Sequence, residues 1–149
     1  MTIADVHMTS INTTDRETRV RTMDWDGIST ALDARGWTTL PALLSGAECG
    51  ATAGLYDHAD GFRSHVIMGR HGFGRGDFEG GEFVLTEQRP RMQTRAAVVP
   101  LGKGDAAVFA VNSRPVKGVR GDYRVNLRHG VSALRSGRRH TLGVIFHAA

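Results

Sequence analysis

Residues 119 to 131 read VRGDYRVNLRHGV, and no other stretch constrains the fold as tightly. Val119, Tyr123, Val125, Leu127, His129 and Val131 share one parity, while Arg120, Asp122, Arg124, Asn126 and Arg128 share the other. A strand turns successive side chains to opposite faces, so this pattern is a half-buried β-strand with one apolar and one charged face. His129 falls on the apolar face. An imidazole among valines and leucines needs a hydrogen bond, a carboxylate or a metal ion. Standing alone, such a histidine is ordinarily a core or rim residue satisfied by backbone.

A second run follows closely. Ser136-Gly137 supplies a turn, and residues 138–147, RRHTLGVIFH, read as another strand. Arg139 and Thr141 share one of its faces. A guanidinium with a hydroxyl two residues on suits a carboxylate, because Arg binds it bidentately and Thr adds a third hydrogen bond. A two-residue hairpin at Ser136-Gly137 pairs Arg139 with Leu134, on the face opposite His129. A three-residue loop with Gly137 left-handed, or a crossing between two sheets, puts His129 and Arg139 on one side. The spacing permits a shared pocket for metal and carboxylate.

The ordered set His129, Ser132, Gly137, Arg139 and Thr141 resembles the C-terminal signature of the Fe(II)/2-oxoglutarate-dependent oxygenases of the prolyl-hydroxylase type. Two further pieces agree, in family order: Gly80-Gly81-Glu82-Phe83 looks like a Gly-Gly-Glu strand opening, and residues 104–109, GDAAVF, look like the strand ahead of the distal histidine. The resemblance covers residues 77 to 149 well and the preceding segment loosely. It implies a double-stranded β-helix, Fe(II) and 2-oxoglutarate as cofactors, His129 as an iron ligand, and Arg139 with Thr141 as the anchor for the far carboxylate of 2-oxoglutarate.

One piece of the family pattern is missing. The 2-His-1-carboxylate triad needs a His-x-Asp/Glu pair on a strand before the Gly-Gly-Glu segment. Here the chain passes straight from Gly76 to Asp77 where that strand belongs. His58-Ala59-Asp60 is the chain's only His-x-Asp, and it lies upstream, at the end of a predicted helix. We read it as a chance match on a surface turn, with a ligand pair as the alternative; neither His65 nor His71 has a carboxylate two residues on. The chain reads as an internally shortened family member whose metal triad is incomplete.

Residues 1–22 are polar and without periodicity and read as a disordered leader. Residues 23–149 read as a single oxygenase-like domain, with a lead-in over 23–76 and jelly-roll strands over 77–149. In the lead-in, Asp24 or Asp26 caps a helix over Ile28 and Leu32 that Gly36 stops, and Pro41 breaks an extended segment over 37–44. Ser45 and Glu48 form a capping box that opens a second helix. Residues 62–68 offer a further strand. The glycines from Gly69 to Gly80 lack both the Gly-Lys-Ser/Thr of a phosphate loop and a following helix. Strands are expected near 82–88, 95–101, 105–111, 122–132 and 139–147. The fold class is α+β, mainly β: an incomplete jelly roll behind a short helical lead-in. Strands missing beside 139–147 leave open sheet edges, to be covered by 62–68, by 37–40 or by a second copy of the chain.

Composition bounds the partners. The single cysteine, Cys49, excludes an internal disulfide and fits a reducing cytoplasm. No run approaches a membrane span, and no secretory signal opens the chain. The net charge of +4 comes from arginines dispersed along the sequence. With two tyrosines for base stacking, a solvated basic surface is a better account than a nucleic-acid partner. Three functions follow: an oxygenase impaired at its metal centre, a non-catalytic jelly roll that binds a small dicarboxylate, and, behind these, a basic nucleic-acid-binding domain. The substrate is not legible.

Overall fold

The computed structural model describes residues 13–55, 78–137 and 139–146. Three helices lead: α1 (Thr13–Arg21), α2 (Trp25–Arg35) and α3 (Gly46–Gly54). The strands are β1 (Trp37–Leu40), β2 (Glu79–Gly80), β3 (Phe83–Gln88), β4 (Arg95–Val99), β5 (Ala106–Phe109), β6 (Ser113–Gly118), β7 (Gly121–Val131) and β8 (Leu134–Ser136). They form a four-stranded sheet, β4-β3-β7-β6, and two strand pairs, β1-β5 and β2-β8. All pairings are antiparallel. The architecture is α+β, mainly β and jelly-roll-like, and the described strands do not close a barrel.

The helix signals act as read. Asp24 caps α2 by accepting from the Gly27 amide at 2.9 Å, and left-handed Gly36 ends it. In the capping box of α3, Glu48 N–H donates to Ser45 Oγ at 3.2 Å and Ser45 N–H donates to Glu48 Oε2 at 2.7 Å. The strand alternation also holds. β7 buries Val125 and Leu127, β3 buries Leu85 and β4 buries Val99, and with Leu40 these residues make the apolar core. Burying each such side chain contributes about 1.5–3 kcal/mol. An ion cluster borders that core. Arg114, buried on β6, donates to Glu87 at 2.7 Å and to the Asp33 carbonyl at 3.2 Å, which ties α2 to the sheet.

Several expectations are corrected. The disordered leader over 1–22 contains α1 from residue 13 onward, because α1 has a buried carboxylate to pair with: Arg16 and Arg19 donate to Glu48 at 2.7 Å and Arg19 to the Leu43 carbonyl at 2.9 Å. Residues 1–12 lie outside the described residues, as do 62–68 and the glycine-rich stretch up to residue 77. The strand expected over 139–147 is not formed in 139–146. That segment pairs with no described strand, and Leu142, Val144, Ile145 and Phe146 stay exposed. A run of strand-forming residues needs a neighbouring ladder, and no described strand supplies one here. Trp37–Leu40 pairs with β5 instead of covering that edge. β6 was not expected because Pro115 and Lys117 interrupt its pattern; both are tolerated on the outer strand of a sheet.

Glu48 gives the fold a pH dependence. The Ser45 amide first, then the arginines, hold its carboxyl down to about 2 from an ordinary 4.5. A depressed carboxyl stabilises the fold above its ordinary value, and that contribution disappears as pH falls from about 4.5 towards about 2. Thermal melts across this range are expected to show the loss in the wild type and a flatter profile in Glu48→Gln. Equal slopes in the two proteins contradict the assignment.

Candidate functional site

Where β2, the start of β3, the end of β4 and β8 converge, they leave an open cleft of about 720 Å³. It is lined by Gly80 and Gly81, by the apolar Phe83 and Val99, by two arginines, Arg135 and Arg139, and by three carboxylates, Glu79, Glu82 and Asp105. Both glycines have positive φ, +78° and +68°. A Cβ on Gly80 would lie 2.2 Å from the Ala133 carbonyl oxygen, and one on Gly81 would lie 3.1 Å from Leu134 Cδ1 and 3.5 Å from Arg139 Cδ. Only glycine allows β2 to approach β8 this closely and lets Arg139 lie along the backbone.

Glu82, next in the chain, is clasped to Ser132. The Ser132 hydroxyl donates to the Glu82 carboxylate, Glu82 N–H donates to Ser132 Oγ at 3.0 Å, and Ser132 N–H donates to the Glu82 carbonyl at 2.9 Å. The hydroxyl is the main cause of a Glu82 carboxyl held below its ordinary range, with smaller help from Arg135 and Arg139. Arg139 is half-buried. Burial lowers its guanidinium below the ordinary arginine range, opposed by the charge of Glu82. Among the described residues no carboxylate comes within ion-pair distance of Arg139. A partly desolvated cation at a cleft wall, beside a carboxylate already engaged by a serine, has the chemistry to pair with an incoming anion.

His129 is on the expected strand and parity, across from Leu85 on β3, but it is exposed where Val125 and Leu127 are buried. The sandwich opens at that end. Its ring lies 4.8 Å from Phe109 and 6.4 Å from Phe83, so its neighbours are aromatic faces rather than a carboxylate. Phe83 links the two regions, lining the cleft while standing near the imidazole. Thr141 is exposed and does not line the cleft. The route from β7 to Arg139 is the sheet crossing: β7 belongs to the four-stranded sheet and β8 to the pair with β2. Asp105 of the GDAAVF run works as a clamp, accepting from the Ala42 amide at 2.9 Å and the Gly102 amide at 2.7 Å.

Residues 64–149 match a protein-family model described as "Oxygenase, catalysing oxidative methylation of damaged DNA". The chain belongs to this oxygenase family. Two curated proteins from two strains of Mycobacterium tuberculosis, both named as uncharacterized, are each 48% identical to it over 73 residues. The match covers 49% of this chain and 31% of each relative, so the oxygenase-family chain spans about a third of the length of those curated relatives. No solved structure matches it.

Ser132 and Arg135 are site residues that the sequence reading did not single out. Ser132 stood inside the quoted signature, three residues after His129, but nothing in chain order shows that it faces Glu82 fifty positions earlier. The described residues by themselves fit a metal poorly. Among the described residues no group of three or more His, Cys, Asp or Glu could hold an ion, and His129 brings one imidazole. His58, Asp60, His65 and His71 lie outside the described residues. A lone imidazole binds Fe(II) weakly and sets no facial geometry. Titration with Mn(II) is therefore expected to give weak uptake that His129→Ala barely changes. A tight single-site isotherm abolished both by His129→Ala and by Asp60→Ala would revive the His58–Asp60 pair as ligands.

Proposed function

We propose that this chain retains the cosubstrate end of an Fe(II)/2-oxoglutarate-dependent oxygenase, with Arg139 taking the far carboxylate of 2-oxoglutarate, and that it lacks a competent iron centre of its own. One observation carries the reading: a half-buried guanidinium at the cleft wall, with the adjacent carboxylate of Glu82 committed to Ser132. The planar guanidinium matches a carboxylate with two parallel N–H donors. Gly80 and Gly81 keep the floor clear of side chains, and Phe83 and Val99 present an apolar wall to a short carbon chain. Glu82 repels a second anion and so restricts where the ligand's other end can lie. Thr141, two residues on, is exposed and outside the cleft lining.

The iron half does not follow from the same residues. The resemblance makes His129 one ligand, and the sequence's His-x-Asp, His58-Ala59-Asp60, lies outside the described residues. On this reading the chain binds a small dicarboxylate and turns over little or no substrate by itself.

Adding 2-oxoglutarate or succinate at about a hundred times its dissociation constant stabilises a folded protein by about 2.7 kcal/mol. For a chain of this size that raises the melting temperature by roughly 5–10 °C. We expect such a shift in the wild type and none in Arg139→Ala. A wild type that does not respond, with a variant equally stable, would place Arg139 on an idle solvated surface and end the proposal.

A further inference from the structure

The last described segment is built like a strand and pairs with no described strand. Residues 141–146, TLGVIF, alternate Leu142, Val144 and Phe146 with Thr141, Gly143 and Ile145, so an extended backbone sends the first three to one face. Leu142, Val144, Ile145 and Phe146 are 67, 64, 67 and 88% exposed. No residue of 139–146 has a positive φ, so the backbone is free to extend. Among the described residues, 141–146 exchange no hydrogen bond with another segment, which leaves their N–H and C=O groups open to a ladder.

The outer strands of the four-stranded sheet are guarded, and this segment is not. One outer strand, β6, carries Pro115 and Lys117, residue types that blunt a sheet edge. The other, β4, opens with Arg95. Residues 140–147 contain no Asp, Glu, Lys, Arg or Pro. In a chain of net charge +4, such an uncharged run is where two copies meet without repulsion. The run also fits itself. Antiparallel pairing centred on Val144 sets Leu142 of one copy opposite Phe146 of the other, and Val144 opposite Val144. Opposed residues share a face, so six apolar side chains gather on one side of the ribbon. A centre at Gly143 sets Phe146 against His140 instead. The four large side chains leave roughly 600 Å² open on each copy, close to the roughly 800 Å² that each partner gives to a specific interface.

We propose that residues 141–146 are the interface of a two-fold homodimer, in which the segment pairs antiparallel with the same segment of a second copy, centred on Val144. A two-fold contact uses the same patch on both partners, so one self-complementary segment serves both and the assembly stops at two. Arg139 lies outside the paired run, and the inference is independent of what the cleft binds.

The test is sedimentation equilibrium of the full chain over a micromolar concentration series, where a single monomer–dimer equilibrium is expected. Val144→Lys sets two ammonium groups face to face at the centre and should weaken the dimer at least about tenfold. Val98→Lys, at an exposed apolar position of β4 outside the run, should leave it unchanged. Register is read by mild oxidation in a Cys49→Ser background, an arm that does not depend on how the lysine variant folds. There Val144→Cys should crosslink to its own copy, and Leu142→Cys should join Phe146→Cys in a mixed sample while crosslinking poorly to itself. Val144→Lys should keep its response to 2-oxoglutarate and Arg139→Ala its dimer constant, so failure here and failure of the cleft reading are separable. A wild type that stays monomeric across the series overturns the proposal, and is the outcome if another part of the same chain covers the run. So does a dimer that Val144→Lys leaves intact, or one whose cysteines crosslink equally at all three positions.

Discussion

Strand β7 is hydrogen-bonded on both sides, to β3 over six residue pairs and to β6 over another six, and this double pairing places the buried core of the sheet and its charged face. One parity of β7 supplies Val125 and Leu127 to the core and His129 to its open end. The other presents Arg124 and Arg128 to solvent. A slip of one residue in either ladder would exchange the two faces, burying arginines and exposing valines, so the register is fixed by the free energy of core burial. The end of β7 then delivers Ser132 to Glu82, and the chain crosses to β8, which brings Arg139 to the cleft.

Three carboxylates show how the molecule handles its cations. Glu48 fixes α1 through Arg16 and Arg19, and Glu87 fixes α2 to the sheet through Arg114. Each is a buried or half-buried pair whose second partner could not be removed without stranding a charge. Glu82 behaves differently. It lies nearest Arg139 in charge, yet its hydrogen bonds go to Ser132. A serine where another arginine–glutamate pair would form leaves the cleft's cation available to a ligand. On the proposed reading, that single choice separates a structural cluster from a binding site.

Much of this was legible in the sequence because it depended on local signals. Asp24, Gly36, and Ser45 with Glu48 marked the helix ends, and the strict alternation around Val125 marked the central strand and its faces. The Gly80-Gly81-Glu82 and Ser132-to-Arg139 pieces pointed to an oxygenase, which agrees at that coarse level with the family to which the chain belongs, though not with the prolyl-hydroxylase type. What chain order could not show were effects of pairing. β6 reads poorly as a strand because Pro115 is acceptable only on an outer strand. The segment after Arg139 reads well as a strand, but propensity alone does not form one without a neighbour. His129 shares the parity of the core and yet is exposed, because parity sets a side chain's direction and not how far the opposing layer extends.

The central claim is that Arg139 receives a carboxylate in the cleft. It is tested most directly by following the Arg139 Nε–Hε resonance in a nitrogen–proton NMR titration with 2-oxoglutarate. The account predicts a saturable shift at Arg139, smaller changes at the Gly80 and Gly81 amides, and weaker binding in Ser132→Ala, where Glu82 is released to pair with the guanidinium. A titration that moves other arginines and leaves Arg139 unshifted would contradict it.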